Sequence, residues 1–467
     1  MDLKHKATRA AIGAGFETAM NMSKNNPENA IVMINKIFSK YYSPVYGNEI
    51  TEAFETLSNF LARTQNKWEN FASHIFSDVD HRILKAMMLN LAYEGGYLGW
   101  NKSRKIAEEN NCNVPFCILM DPGAYNPNTR VERFESDYKR PSYLTYEDID
   151  SIMTQGKDLG IHFYLFSGSE PLLRKTDLFK LAKKHFDCMI HIFTNGKYID
   201  QRFCDDVKEC GNIILSLNIG GTMVGSQYVS ESGFTPSMLG TMELMKRNKL
   251  AFGATLCWTE KNYKELISEE FIDTLIDKGC LWSWYYHYIP SSKNADVSFL
   301  PSPEHRAFMF KKIREMRDDE NGKLLFPIDF HRDSEYFGGC MAGGKNYLHI
   351  NSCGDVEPCV FIHFSSSNIH SDTLLESLKQ PLFKAFKQSS DTNVKDNVNP
   401  YLACPIFKED GDLAVAMKNT GSRLMQKSLF EKDAQLFDKY SKEWKPYAEN
   451  LWNEQQELKQ HHKEKKS

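Results

Sequence analysis

Four cysteines in the last third of the chain are the residues best suited to hold a soft metal. They are Cys340, Cys353 and Cys359 in GGCMAGGKNYLHINSCGDVEPCVFIHF (338–364), and Cys404 in ACPIF (403–407). Thiolates are soft ligands, and the surrounding glycines let a backbone wrap closely around a bound group. The plainer alternative is a glycine-rich hairpin with buried free thiols. His349, His363 and His370 in the same stretch read as ordinary hairpin and loop residues. A second group lies upstream in FSGSEPLLRK (166–175), where Gly168, Ser169, Glu170 and Pro171 follow an apolar run. Free backbone acceptors and a carboxylate there suit an ammonium group. FTNGKYID (193–200) adds Thr194, Asn195 and Gly196, although Asn-Gly also fits a tight turn.

Composition narrows the setting. The chain has 467 residues, with 57 Lys and Arg against 61 Asp and Glu, a formal net charge of −4. That balance gives no global reason to expect nucleic acid as a partner. No apolar run is long enough to span a bilayer, and MDLKHKATRA lacks the apolar segment of a signal peptide. A cytoplasmic location is the default expectation. Eleven cysteines in such a chain point to reduced thiols or metal ligands rather than to a disulfide framework.

These groups need a scaffold, and the hydrophobic pattern describes one. Residues 1–111 read as a helical region, with Phe54, Leu57, Phe60 and Leu61, then Ile83, Met87 and Leu91, at helical spacing. Over 112–334, short apolar runs alternate with amphipathic stretches. The runs are 115–121, 161–167, 188–194, 213–219, 250–258 and 282–289, with 325–331 as a seventh. Such alternation predicts parallel βαβ units, an α/β fold closing into a full or partial (β/α) TIM-like barrel, with its site at the C-terminal strand ends. Residues 335–410 read as a small separate Cys- and Gly-rich module. Residues 411–467 form a C-terminal helical tail with a stripe of Phe437, Tyr440, Trp444, Tyr447 and Leu451, interrupted by Pro446. In WSWYYHYIP (282–290), Trp284, Tyr286 and Tyr288 share one face and Tyr285 and His287 the other; the sequence leaves open which points inward.

Over about 112–408 the chain resembles the radical S-adenosylmethionine superfamily. Gly168-Ser169-Glu170-Pro171 is similar to that family's Gly-Gly-Glu-Pro motif, and Thr194-Asn195-Gly196 to its third strand end. Cys340, Gly354-x4-Cys359 and Cys404 resemble the auxiliary iron–sulfur region of SPASM and twitch domains, where the fourth position is open to Cys353, to another ligand or to an iron left open. The resemblance implies cofactor contacts at Gly168, Ser169, Glu170, Pro171, Asn195 and Ser216, and an auxiliary cluster on the C-terminal cysteines.

One element of the pattern is missing. The family carries Cys-x3-Cys-x2-Cys after the first strand, holding a 4Fe–4S cluster whose open iron chelates the methionine end of S-adenosylmethionine. Here the loop is MDPGAYNPNTRVERFESDY (120–138), and in register the cysteine positions fall on Asn126, Arg130 and Arg133. Asparagine is a weak neutral ligand, and arginine is a fixed cation that repels iron. No cysteine occurs between Cys117 and Cys188. Cys112 lies before the first strand, about 20 Å below its far end, and Cys117 early in it, so both read as packed-core or surface thiols. The fourth strand has Leu217-Asn218 after Ser216 where relatives place a glutamate, and no arginine pair stands near 229–232. Two arginines at the mouth predict an electropositive pocket, and a polar surface loop is the simpler alternative. The expectation is thus a homologue that no longer cleaves S-adenosylmethionine, with a binding or regulatory role, an auxiliary cluster, and an intact paralogue or a peptide or lipid as partner. The alternative is an active iron–sulfur enzyme modifying a peptide, lipid or other substrate.

Overall fold

The computed structural model describes residues 2–23, 33, 67–123, 143–219, 222–224, 227–229, 234–291, 295–318, 322–387, 399–407, 417, 419–425 and 434–464. Asn126, Arg130 and Arg133 therefore lie outside the described residues, as do Phe54, Leu57, Phe60 and Leu61.

Seven parallel strands form where the sequence places its apolar runs: β1 (Cys117–Met120), β2 (Phe163–Phe166), β3 (Met189–Thr194), β4 (Ile213–Asn218), β7 (Phe252–Trp258), β8 (Trp282–His287) and β9 (Phe326–Asp329). A short antiparallel hairpin, β5 (Thr222–Val224) and β6 (Gln227–Val229), separates β4 from β7. Two further strands, β10 (Tyr347–Ile350) and β11 (Val356–Glu357), come from the Cys-rich segment. The sheet order is β11-β10-β1-β2-β3-β4-β7-β8-β9, parallel throughout except for β10 with β11. The architecture is a partial TIM-like (β/α) barrel.

The Cys-rich segment is not the detached unit its composition suggests. Cys117 pairs with Tyr347 and Met120 with Ile350, so β10 extends the sheet beyond β1. A strand of four buried residues cannot leave its backbone groups unpaired, and the free edge of β1 supplies partners.

Helices between the strands start on side chains that accept the first free amides. Thr145 and Asp148 form a reciprocal capping box at Tyr146–Leu159. Asp200, Thr235, Ser268 and Ser302 cap the helices that follow them. Ile118 and Met120 face the helix-covered core, whereas Cys117 and Leu119 face a second cluster around Tyr347, Cys359 and Phe407. This alternation is the period-2 geometry of a strand buried on both sides.

The N-terminal helix Leu3–Ser23 docks on residues 81–99, of which Met88–Gly99 form wide turns of the π type. The fully buried Glu94 holds it, accepting from Arg9 at 2.6 Å and contacting His5 at 2.9 Å. At the other end of the chain, the helix Ala434–Glu464 carries Pro446 and buries Phe437, Tyr440, Trp444 and Leu451 against the body, leaving Tyr447 exposed. No described helix is long and apolar enough to cross a membrane.

Candidate functional site

The strand ends at the barrel mouth are tied together by one carboxylate. Glu170, beyond β2, accepts from the Leu172 amide at 3.0 Å, the Thr194 hydroxyl at 2.7 Å and the Asn195 amide at 2.8 Å. It links the end of β2 to the end of β3. Gly168 has φ +88°, and a Cβ there would stand 2.1 Å from Cγ of Asp121, which ends β1. Glycine is thus needed both for conformation and for contact. Asp121 in turn caps the Gly123 amide, and its own amide donates to Ile350 in β10. Asn195 closes a small turn by accepting from the Lys197 amide. Pro171 is buried, and the buried hydroxyl of Ser169 has no partner among the described residues. Gly168, Ser169, Glu170, Pro171 and Asn195 therefore come together at the mouth.

Ser216 does not join them. It sits within β4, fully buried, and bonds His191 Nε2 at 2.8 Å and Trp282 Nε1 at 2.9 Å. His191 stacks on Phe193 at 4.5 Å, and Trp284 packs on His191, Phe193 and Phe330. Trp282 and Trp284 thus face the barrel interior, and Tyr285 faces the helical side, its hydroxyl on the Leu266 carbonyl. Burial drives the His191 pKa down to about 3.

The segment that lacks cysteines, 124–142, has described residues on both sides of it. The Leu144 amide donates to the Pro122 carbonyl at 3.1 Å, and the buried Arg174 guanidinium donates to both the Pro122 and the Leu144 carbonyls.

The C-terminal cysteines meet. Cys340, Cys359 and Cys404 line one cavity with His287, Arg306, His331, Arg332, Tyr347 and Phe361. The cavity occupies the gap between β9 and the β10–β11 edge, across which Phe330 and Tyr347 approach to 5.7 Å. Each sulfur is faced by the amide two residues further along: Ala342 for Cys340, Phe361 for Cys359 at 3.5 Å, and Ile406 for Cys404. The Tyr347 hydroxyl also donates to the Cys359 sulfur at 3.0 Å. Burial pushes all three thiols up, Cys359 to about 12. They keep their protons unless a cation displaces them.

Cys353 stands apart. Pairing of Ile350 with Val356 puts 351–355 in the hairpin turn, at the far end of β10 from Tyr347. Its amide donates to Asn351 and its carbonyl accepts from Asn368. The reason is register: a two-rung hairpin carries its turn away from the cavity and returns Cys359 to it.

Two buried cations complete the cavity. Arg306 and Arg332 are 3% and 2% exposed, and Arg306 Nε and Nη1 and Arg332 Nε and Nη2 have no partner among the described residues. Arg306 lies 4.1 Å from the Trp444 ring, and Arg332 5.3 Å from it. Asp329 answers only part of this charge, at 3.5 Å from Arg332. Buried guanidinium donors without acceptors are costly, and an anionic, sulfide-rich group between them would accept their N–H bonds. An iron–sulfur cluster held by thiolates fits this donor set. His287, His331, Arg306 and Arg332 were not singled out as ligands or anion donors by sequence. His287 and His331 both stand at strand ends after aromatic runs, which is the one signal they carry.

A different trio, His185, Asp187 and Cys188, offers ligand atoms within 4.8 Å of one another, alone among the described residues. Lys157 already pairs with Asp187 at 3.2 Å, and Asp150 with His185 at 2.9 Å. The buried Glu357 forms another polar group, accepting from His349 at 2.7 Å and from Asn351 at 3.0 Å, with His363 at 3.4 Å. Burial alone would raise its carboxyl, but the two imidazoles outweigh it and hold Glu357 at about 2.

No family model and no curated protein sequence matches the chain. Among solved structures, Streptococcus suis SuiB bound to precursor peptide SuiA is 15% identical, covering 61% of this chain and 69% of that one at a TM-score of 0.46. Native anSMEcpe with bound AdoMet is 16% identical, covering 73% of this chain and 100% of the other, also at 0.46. Methylornithine synthase PylB is 12% identical, covering 49% and 72%, at 0.31.

Proposed function

We propose that this chain is a radical S-adenosylmethionine/SPASM-like protein that has lost the ligands of its catalytic cluster and keeps one auxiliary iron–sulfur cluster. It acts as a binding or regulatory homologue, with an intact paralogue or a peptide or lipid as its partner. The observation that carries the reading is the meeting of Cys340, Cys359 and Cys404 in one cavity, although Cys404 is remote in sequence. The amides facing each sulfur and the unfilled Arg306 and Arg332 donors support the same group.

When bound, the cluster supplies one-electron redox chemistry or a rigid cross-link between segments. The chain's own residues do the rest. Cys340, Cys359 and Cys404 would hold it, Arg306 and Arg332 would donate to it, and the helix Ala434–Glu464 backs those two arginines through Trp444. At the mouth, Glu170 has three donors of its own, so it serves to lock the ends of β2 and β3. With Asn126, Arg130 and Arg133 at the cluster positions, S-adenosylmethionine loses its iron anchor and is not cleaved.

Anaerobic reconstitution with iron and sulfide tests this. About four irons per chain and no 5′-deoxyadenosine under reduction are expected. Eight irons, or 5′-deoxyadenosine above background, would overturn the loss of cleavage. No bound iron would overturn the auxiliary cluster.

A further inference from the structure

We infer that His287 is the fourth iron ligand of the auxiliary cluster, binding through Nε2 beside Cys340, Cys359 and Cys404. The inference rests on the cluster proposed above, and goes beyond it by assigning the fourth position, which the sequence leaves open between Cys353, another ligand and an open iron.

The tautomer is the first argument. His287 lines the same cavity as the three cysteines and is fully buried. Its Nδ1 lies 3.1 Å from the Tyr288 carbonyl, and a carbonyl only accepts, so Nδ1 carries the proton. Nε2 is then left with a lone pair, and it has no partner among the described residues. A ring whose one nitrogen donates to a backbone carbonyl while the other is free is the arrangement metal-bound imidazoles adopt.

Placement is the second. His287 ends β8, so a sheet strand holds its backbone rather than a loop. Its ring stacks on His331 at 4.0 Å and packs on Phe407, three residues past Cys404, at 5.7 Å. His331 is the rival, but neither of its nitrogens has a partner among the described residues, so nothing selects a ligating tautomer. Cys353 is carried off by the hairpin turn.

Charge is the third. Asp333 pairs with Arg317 and Glu335 with Arg314, while Arg306 and Arg332 stand buried in the cavity wall with only Asp329 paired to either, at 3.5 Å from Arg332. An oxidised 4Fe–4S core with three thiolates carries one negative charge, which the buried guanidinium donors suit, and a neutral imidazole adds no further charge to it. The bond forms from the Nε2 lone pair to iron, and the ring loses no proton.

The test is pulsed electron paramagnetic resonance of the reduced, reconstituted full-length protein, with natural-abundance and 15N-histidine-labelled samples. A histidine nitrogen coupled directly to the cluster is expected, and it should vanish in His287→Ala. His287→Cys should keep about four irons and lose the nitrogen coupling; it is the variant to read if His287→Ala fails to fold. The coupling should persist in His331→Gln, and Cys353→Ala should keep both iron and coupling. A wild-type cluster without histidine coupling, or a coupling that survives His287→Cys, overturns the inference and leaves the cluster standing. Loss of iron in Cys353→Ala overturns it in favour of Cys353. A wild-type protein that takes up no iron overturns the cluster itself.

Discussion

At the residue scale, the barrel depends on a few side chains that each satisfy several strand ends. Glu170 is the clearest. Replacing it with alanine strands the Leu172 and Asn195 amides and the Thr194 hydroxyl, and should cost about 3 kcal/mol, since bonds to a charged acceptor are worth about 1.5–3 kcal/mol each and do not add fully. Urea denaturation measures this, and an unchanged midpoint would remove Glu170 from the scaffold. His191 makes a pH prediction. Its folded pKa of about 3 lies below the ordinary value of 6.5, so the unfolded chain takes up the proton first as pH falls. Stability is complete above pH 6.5 and declines below it by on the order of 1.4 kcal/mol per pH unit, until the folded pKa is reached. His191→Phe, which keeps the stacking with Phe193, should flatten the slope by one proton. An unaltered slope from pH 6.5 to 4.5 would contradict the burial argument.

At the scale of elements, two contacts decide whether the pieces fit. The turn after β2 lies so close to Asp121 at the end of β1 that Gly168→Ala meets both a clash and a positive φ. About 2 kcal/mol of destabilisation is expected from strain of this kind, read as a lowered Tm. The C-terminal helix packs behind the cavity wall through Trp444, whose Nε1 donates to the Tyr401 carbonyl at 3.0 Å while its ring lies on Arg306. Trp444→Ala should cost about 3–5 kcal/mol, in the range for a buried tryptophan. It should also speed the loss of iron from the reconstituted protein to a chelator, because water then reaches Arg306. A normal chelation rate would mean that the helix is packing alone.

At the scale of the whole molecule, the barrel is open on one side and the Cys-rich segment fills the gap. β10 and β11 extend the sheet beyond β1, and the cavity spans from their edge to the ends of β8 and β9. Iron binding should therefore stabilise the barrel as well as the module that supplies the thiols. A single cooperative thermal transition that rises on reconstitution is the expected outcome in calorimetry. Two transitions, of which only one shifts with iron, would mean that the segment folds by itself.

The sequence by itself determined where the seven parallel strands and the helices between them lie, because buried strands and amphipathic helices write their periods directly into the chain. It also marked Cys340, Cys359 and Cys404 as candidates, since thiols among glycines are a local signal, and Gly168, Ser169, Glu170, Pro171 and Asn195, which lie together at the ends of β2 and β3. Other features were decided by tertiary structure alone. Ser216 looked like a mouth residue, but its place within β4 turns it to His191 and Trp282 in the interior. Cys353 looked like a fourth thiolate, but the hairpin register carries it away. His287, His331, Arg306 and Arg332 reach one cavity from two strand ends and a helix, and no spacing along the chain encodes that. The pairing of β10 with β1 is of the same kind. An edge takes whichever strand satisfies its amides and carbonyls, and sequence distance does not enter.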